Sequence, residues 1–468
     1  MTGFSARTIR ITVACSLGLA AGICCLFVLP PLMTPDSLGH WLRSVQVSQG
    51  QLISTRLGPN RWGGEVDGGA LRFGAFLIDR YRADQVASHA EVQAVATAIE
   101  GDPPAGITTD FSTAAAFPPL AYLAQAGAIA LARAAGADWL MACRLAGLGN
   151  LLLYTMLVAA ALVRLPAFDR IAAALAFAPF ALTQSASVSA DPLNFALPLL
   201  LFAICWQARL ERGPVSRRRL IGLAALFLGV VLLKPPNVAF LALSLLIPAD
   251  RFGGGRRRML ILAVLALPAL AVLAAWTMAF PFRPGAYFDT GADPAAQIDF
   301  ILTNPLRALG IVVDTAVWRA LRNWYNANAM FGPGYGEHFR LGWPFPALTL
   351  VLFAGLALHD GPGRRDWTAA GLCSAVAILF FLIVLAAFWL TFTSPGDSLV
   401  RGMQGRYFWI CFLLVLASGG LAVGRRTASP ELAATLTGAV WGVHAAMLIV
   451  VILHYGAAWG TLPAVLPS

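Results

Sequence analysis

Residues 118–134 read Pro118-Pro119-Leu120-Ala121-Tyr122-Leu123-Ala124-Gln125-Ala126-Gly127-Ala128-Ile129-Ala130-Leu131-Ala132-Arg133-Ala134, and the topology of the chain turns on whether they cross a membrane. If they cross, every later loop inverts, and the clusters Arg217 to Arg219 and Arg256 to Arg258 move to the outside. If they lie at the interface or re-enter, all the basic clusters that follow face the cytoplasm, as the positive-inside rule asks. The segment opens on two prolines and is short for a span, which takes about 20 apolar residues. It is therefore expected to be a short membrane-dipping helix.

The rest of the chain makes this question the decisive one. Of 468 residues, 58% are hydrophobic and 12% charged, and the mean hydropathy is +0.72. Soluble domains carry roughly 25% charged residues, so a set of soluble domains is excluded, as are disorder, collagen and a disulfide scaffold. Alternating ten-residue segments of a membrane barrel are absent. Apolar runs cover about 11–32, 139–163, 171–187, 192–208, 220–234, 236–249, 258–280, 343–359, 367–392, 407–423 and 431–455. The expected fold is an all-α polytopic membrane protein of about eleven spans, one domain over 1–468. The first run reads as an uncleaved helix. A large outer loop follows, over 33–138 with the dipping helix included, and a second outer segment covers 281–342.

The net charge of +10 is a matter of topology rather than of nucleic acid. Lys234 is the sole lysine, and arginines sit in short clusters between apolar runs, as at Arg364-Arg365 and Arg425-Arg426. Seven cysteines fall in or beside apolar runs, where they read as small hydrophobes.

Chemistry concentrates at the outer ends of the runs. In Thr34-Pro35-Asp36-Ser37-Leu38-Gly39-His40-Trp41-Leu42-Arg43, Thr34 reads as an N-cap with Pro35 opening a helix. Asp36, His40 and Arg43 would then share one face at i, i+4 and i+7, as base, relay or orienting donor, and anion clamp. An aspartate there also simply favours the helix dipole. Asp191, in Ser189-Ala190-Asp191-Pro192, is an ordinary helix start or a carboxylate kept for function. Lys234, before Pro235-Pro236, either snorkels or offers a compact ammonium to a phosphate oxygen. In Gln404-Gly405-Arg406-Tyr407, Gly405 permits a tight turn and Arg406 can fork onto phosphate. Arg61-Trp62-Gly63-Gly64-Glu65-Val66-Asp67-Gly68-Gly69 reads as a Gly-rich turn. The aromatic stretch 318–340, with Trp324 and His338, suits stacking on sugar rings or seating in headgroups. No P-loop, HExxH, GxSxG or CxxC pattern occurs.

Five of these stretches, in order, resemble the bacterial membrane family called domain of unknown function 2142. They are Pro35-Asp36 with His40, Arg43, Ser48 and Gly50; Phe117-Pro118-Pro119-Leu120-Ala121-Tyr122; Asp191; Lys234-Pro235-Pro236; and Gln404-Gly405-Arg406-Tyr407-Phe408. Ser37 stands where that family usually has Glu. The family in turn looks like the glycosyltransferase C superfamily, whose first outer loop holds juxtamembrane helices and an acidic base and whose donor is a polyprenyl-phosphate sugar.

The resemblance implies an inverting glycosyltransferase of the bacterial inner membrane, with its site on the periplasmic or extracellular side and a cell-envelope glycan or lipid as acceptor. It implies catalysis by Asp36, His40 and Asp191, donor-phosphate binding by Arg43, Lys234, Arg406 and Gln404, and substrate contacts from Tyr122 and Tyr407, to which the aromatic stretch adds Trp324 and His338 as candidates for stacking on the sugar. No cofactor is required, although a divalent cation held by Asp36 with Glu65 or Asp67 is compatible with the scheme. Partners are the lipid-linked donor, the acceptor and membrane lipids, with no nucleic acid. A lipid-linked-glycan transporter or flippase, or a non-catalytic subunit of a polysaccharide assembly, stays open as the alternative.

Overall fold

The computed structural model describes residues 5–83, 85–100, 106–318, 344–424 and 430–460. Among them, seven helices are long and apolar enough to cross a membrane: Ala6–Val28, Trp139–Arg164, Asp191–Leu210, Gly255–Tyr287, Trp367–Thr391, Gly405–Val423 and Glu431–Trp459. A bent pair, Pro294–Thr303 with Pro305–Val317 at 107°, brings the number to eight if it is one span. The chain is thus a multi-pass helical membrane protein. Four further runs expected to span form shorter helices, and the bent pair lies in a stretch expected to be polar.

Prolines account for the shortening, because the residue before a proline is pushed out of the helical region. Run 171–187 is split into Asp169–Ala176 and Pro179–Ser185 around extended Ala178. Helix Arg217–Leu233 stops at extended Lys234, and Pro235–Leu246 continues as a 3₁₀ helix. Helix Pro344–His359 has 16 residues. Pro305 breaks the bent pair at Asn304.

The two ends of the bundle differ. At one end Arg10 pairs with Asp169 at 2.8 Å, Arg209 with Asp366 at 2.8 Å, and Arg7 donates to the Leu162 and Leu165 carbonyls. Asp360 accepts from the Arg170 and Ile171 amides that open helix Asp169–Ala176. Asp36, Asp191, Lys234 and Arg406 lie at the opposite end of their helices. Helix packing between the ends relies on small residues, as lipid-embedded bundles do. A Cβ on Gly18 would meet Phe177 at 2.2 Å, and one on Gly147 would meet the Ala186 carbonyl oxygen at 2.5 Å.

Segment 33–138 packs around an apolar cluster in which Trp41, Val45, Phe73, Leu77 and Val92 are buried together with Trp139. Helix Leu123–Ala134 has 12 residues, about 18 Å at 1.5 Å per residue, well short of the ~30 Å hydrocarbon core. It packs between helices Ser37–Ser48 and Trp139–Arg164. Three antiparallel strands were not anticipated: β1 Thr55–Gly58, β2 Arg61–Asp67 and β3 Gly106–Asp110, in the order β1-β2-β3. The presumed Gly-rich turn is therefore the central strand. Its glycines allow close approach, since a Cβ on Gly63 would sit 1.9 Å from the Thr109 carbonyl oxygen and one on Gly64 would sit 2.2 Å from Gln46.

These contacts set a paired test of the packing. Gly147→Ala is expected to destabilise by about 1–3 kcal/mol through overpacking, read as a lower melting temperature in detergent. Gly222→Ala, where a Cβ meets nothing within 4 Å, should be neutral or stabilising through helix propensity. Equal melting temperatures for the two variants would contradict the packing described.

Candidate functional site

Asp36 is placed by a backbone device that spacing alone does not reveal. After helix Ala6–Val28 the chain turns through two left-handed residues, Leu32 (φ 57°) and Asp36 (φ 59°). Such conformations cost of order 1–3 kcal/mol outside glycine and gather at functional sites. The Ser37 hydroxyl secures the turn by donating to the Leu32 carbonyl at 2.5 Å. Asp36, not Thr34, is the N-cap of helix Ser37–Ser48, and its carboxylate makes no capping bond. The Thr34 hydroxyl lies 3.1 Å from that of Ser187 instead.

Free of the helix, the Asp36 carboxylate reaches a residue 370 positions away. Arg406 Nη2 donates to its Oδ2 at 2.5 Å, and Arg406 Nε lies 3.3 Å from Asp191 Oδ2. Lys234 Nζ donates to Asp191 Oδ1 at 2.7 Å. The ammonium also sits 4.8 Å from the Tyr407 ring centre and 5.8 Å from that of Phe117, within cation–π range. Four charges from four segments thus form one chain, Asp36–Arg406–Asp191–Lys234. Arg406 is almost wholly buried, with 3% of its side chain exposed, whereas Asp36 is 49% exposed. Asp36 Oδ1 accepts no hydrogen bond from the described residues.

Buried amides hold this chain in place. Asp191 opens helix Asp191–Leu210, where a carboxylate favours the dipole. Its preceding loop is tied by Gln125 Nε2 to the Ser189 carbonyl at 2.8 Å and by Asn150 Nδ2 to the Ser187 carbonyl at 2.9 Å. Ser44 donates to Gln125 Oε1 at 2.9 Å, linking the Asp36 helix to the same loop. Asn237 donates to Asn194 Oδ1 at 3.1 Å and fixes the turn after Lys234. None of these residues was singled out from sequence. Asn150, polar inside an otherwise apolar run, was the readable signal.

The charges line one side of a cavity of ≈ 680 Å³, the size of a ligand site. Asp36, His40, Asp191, Lys234, Gln404, Arg406 and Tyr407 all reach it, together with Phe117. The other walls are apolar, from Leu273 and Trp276 on one helix and Ile383, Val384 and Phe388 on another.

Two expectations are corrected. Arg43 is fully buried and does not line the cavity; its guanidinium donates to Gln46 Oε1 at 2.5 Å and to the Leu52 carbonyl at 2.8 Å, fastening segment 33–138. Asp36 and His40 still share the cavity, so of the expected common stripe only Arg43 is lost. Tyr122 is fully buried behind His40, its hydroxyl 2.8 Å from Nδ1. Trp324 and His338 lie outside the described residues. Asp67 caps helix Gly68–Arg82 through the Gly69 amide at 2.7 Å. Among the described residues, no three His, Cys, Asp or Glu side chains group to hold a metal.

Burial pushes the His40 imidazole down to about 4, against the opposing pull of Asp191 and Asp36. An unfolded histidine takes its proton near pH ~6.5. The stabilisation from the neutral buried ring is therefore complete above about pH 6.5 and is lost as pH falls toward about 4. The melting temperature should decline over that window more steeply for the intact protein than for His40→Gln, and parallel curves would discount His40 as the source. For the Lys234–Asp191 pair, either Lys234→Met or Asp191→Asn should destabilise by on the order of 2 kcal/mol, short of the 3–5 of a wholly buried pair. The double variant should recover much of that loss in the same melting assay; purely additive losses would count against the pairing.

No curated protein and no solved structure matches the chain. Its sequence does match one family over residues 19–417, a stretch that holds every charged residue of the site. The chain belongs to that family, described as "Predicted membrane protein (DUF2142)".

Proposed function

We propose that the protein is an inverting glycosyltransferase that moves a sugar from a polyprenyl-phosphate donor to a cell-envelope glycan or lipid, on the outer face of the bacterial inner membrane. The observation that carries this reading is the division of one cavity into a charged end and an apolar flank. Lys234 and Arg406 suit a phosphate, and the Leu273–Trp276 and Ile383–Phe388 walls suit the hydrocarbon tail attached to it. The resemblance to the glycosyltransferase C superfamily points the same way.

In this scheme Asp36 Oδ1 takes the proton of the acceptor hydroxyl as that oxygen attacks the anomeric carbon. The carbon–oxygen bond to the phosphate breaks, and its electron pair leaves on the phosphate, where Lys234 and Arg406 balance the charge. Asp191 keeps both cations in position, and Tyr407 offers a ring face to the sugar. The scheme needs no cofactor.

General-base assistance contributes about 10²–10⁴-fold. Surface glycans compared by mass spectrometry in a deletion strain, and in strains complemented with the intact gene or with Asp36→Asn, test the scheme. Deletion and Asp36→Asn should lose the same single sugar, while Asp36→Asn protein still migrates as a folded monodisperse species. If Asp36→Asn restores the glycan that deletion removes, the protein moves or scaffolds a lipid-linked glycan and the proposed base is wrong.

A further inference from the structure

His40 is the one imidazole of the described residues in the charged end of the cavity, and its proton arrangement follows from its neighbour. Tyr122 is wholly enclosed, and among the described residues the single hydrogen-bond partner of its hydroxyl is His40 Nδ1, at 2.8 Å. A buried hydroxyl proton left without an acceptor costs about 1–3 kcal/mol. If Nδ1 carried a proton, it would donate to the phenol, and the phenol's own proton would have nowhere to go. The phenol must therefore donate, and Nδ1 must accept.

The ring itself is held in a fixed pose. Phe117 stacks against it with centroids 6.4 Å apart at 26°, and Tyr122 lies on it at 5.8 Å. The charges facing it are Asp36, from the turn before its own helix, Asp191 and Lys234 from their helix ends, and Arg406 from the first turn of helix Gly405–Val423. The two carboxylates pull a second proton toward the ring more strongly than the two cations oppose it, and burial is what keeps that proton off.

We propose that Tyr122 fixes His40 in the tautomer protonated at Nε2, so that a neutral N–H donor, and not a base, is turned to the cavity beside Asp36 and Asp191. The ligand group it takes is an oxygen acceptor, a hydroxyl or a phosphate oxygen. Tyr122 is then a positioning residue that acts through His40, and of the two roles open to His40, relay and orienting donor, the tautomer selects the second. Only the identity of that oxygen rests on the glycosyltransferase reading; the tautomer does not.

Protein labelled with [¹⁵N]histidine in detergent micelles gives a long-range proton–nitrogen correlation spectrum, in which His40→Gln identifies the His40 signals. The expected pattern is an unprotonated Nδ1 and a protonated Nε2, unchanged between about pH 8 and pH 6, since the ring protonates only at about 4. Tyr122→Phe should shift the signals toward a mixture of both tautomers. An imidazolium pattern at pH ~6, a protonated Nδ1, or no response to Tyr122→Phe overturns the proposal. In the glycan assay, His40→Gln puts an amide donor near the Nε2 position and should lose less sugar than His40→Asn, by on the order of tenfold. Equal losses would also count against the donor role. If the intact gene adds no sugar, the glycosyltransferase reading falls while the spectrum still decides the tautomer.

Discussion

The contact on which the arrangement depends is the Arg406 guanidinium lying between two carboxylates, Asp36 and Asp191. It joins the start of the chain to its last third across the mouth of the bundle. A buried arginine is tolerable only when paired and hydrogen-bonded, so the helix that begins near Arg406 cannot shift without stranding a charge. Lys234 adds a second cation on the far oxygen of Asp191. The end that holds the site is therefore closed by electrostatics, whereas the middle of the bundle is closed by apolar packing among residues such as Phe168, Phe177, Phe202 and Phe240.

Prolines and left-handed residues bring the members of this ion-pair chain to one level. Pro192 opens the helix that Asp191 begins, Pro235 stops the chain at Lys234, and Asp36 itself occupies a left-handed turn. Each break leaves a charged side chain at a helix end, where water or a ligand can reach it, instead of inside a lipid-facing run, where a charge is costly. The opposite end uses charge differently. There Arg10 and Arg209 pair with Asp169 and Asp366 at the starts of neighbouring helices, and Arg7 caps carbonyls, so the cations tie helices together.

How much of this was legible in the sequence varies with the kind of interaction. The long spans were readable because their apolar runs are local and unbroken. Run 171–187 misled because its apolar character hides Pro179, which splits it. The strands around Gly63 and Gly64 were missed because their signal is the absence of side chains, and partners 40 to 50 residues apart give no local periodicity. Asp36, Asp191, Lys234 and Arg406 could each be picked out as a charge beside an apolar run, but their mutual pairing is a property of the folded bundle. Arg43 was misassigned because the acceptors that draw its guanidinium away from the cavity, Gln46 Oε1 and the Leu52 carbonyl, are brought to it only by the fold. Ser44, Gln125 and Asn150 carry the positioning network, and as small neutral polar residues they stand out only where a fold buries them together.

The charge of the cluster is balanced, with Asp36 and Asp191 against Lys234 and Arg406, yet its donors are not all used. A lysine ammonium has three N–H groups, and Lys234 donates one of them to Asp191. Asp36 Oδ1 and the exposed Gln404 amide also face the cavity without a protein hydrogen bond among the described residues. A site of this kind attracts oxygen through unspent hydrogen-bond donors more than through net field. It also places an ionised carboxylate beside those donors, where a small free anion is repelled. Such a balance favours a ligand that brings hydroxyls for the carboxylate together with an anionic oxygen for the ammonium, and the apolar helices at its flank add a hydrocarbon surface to the same cavity.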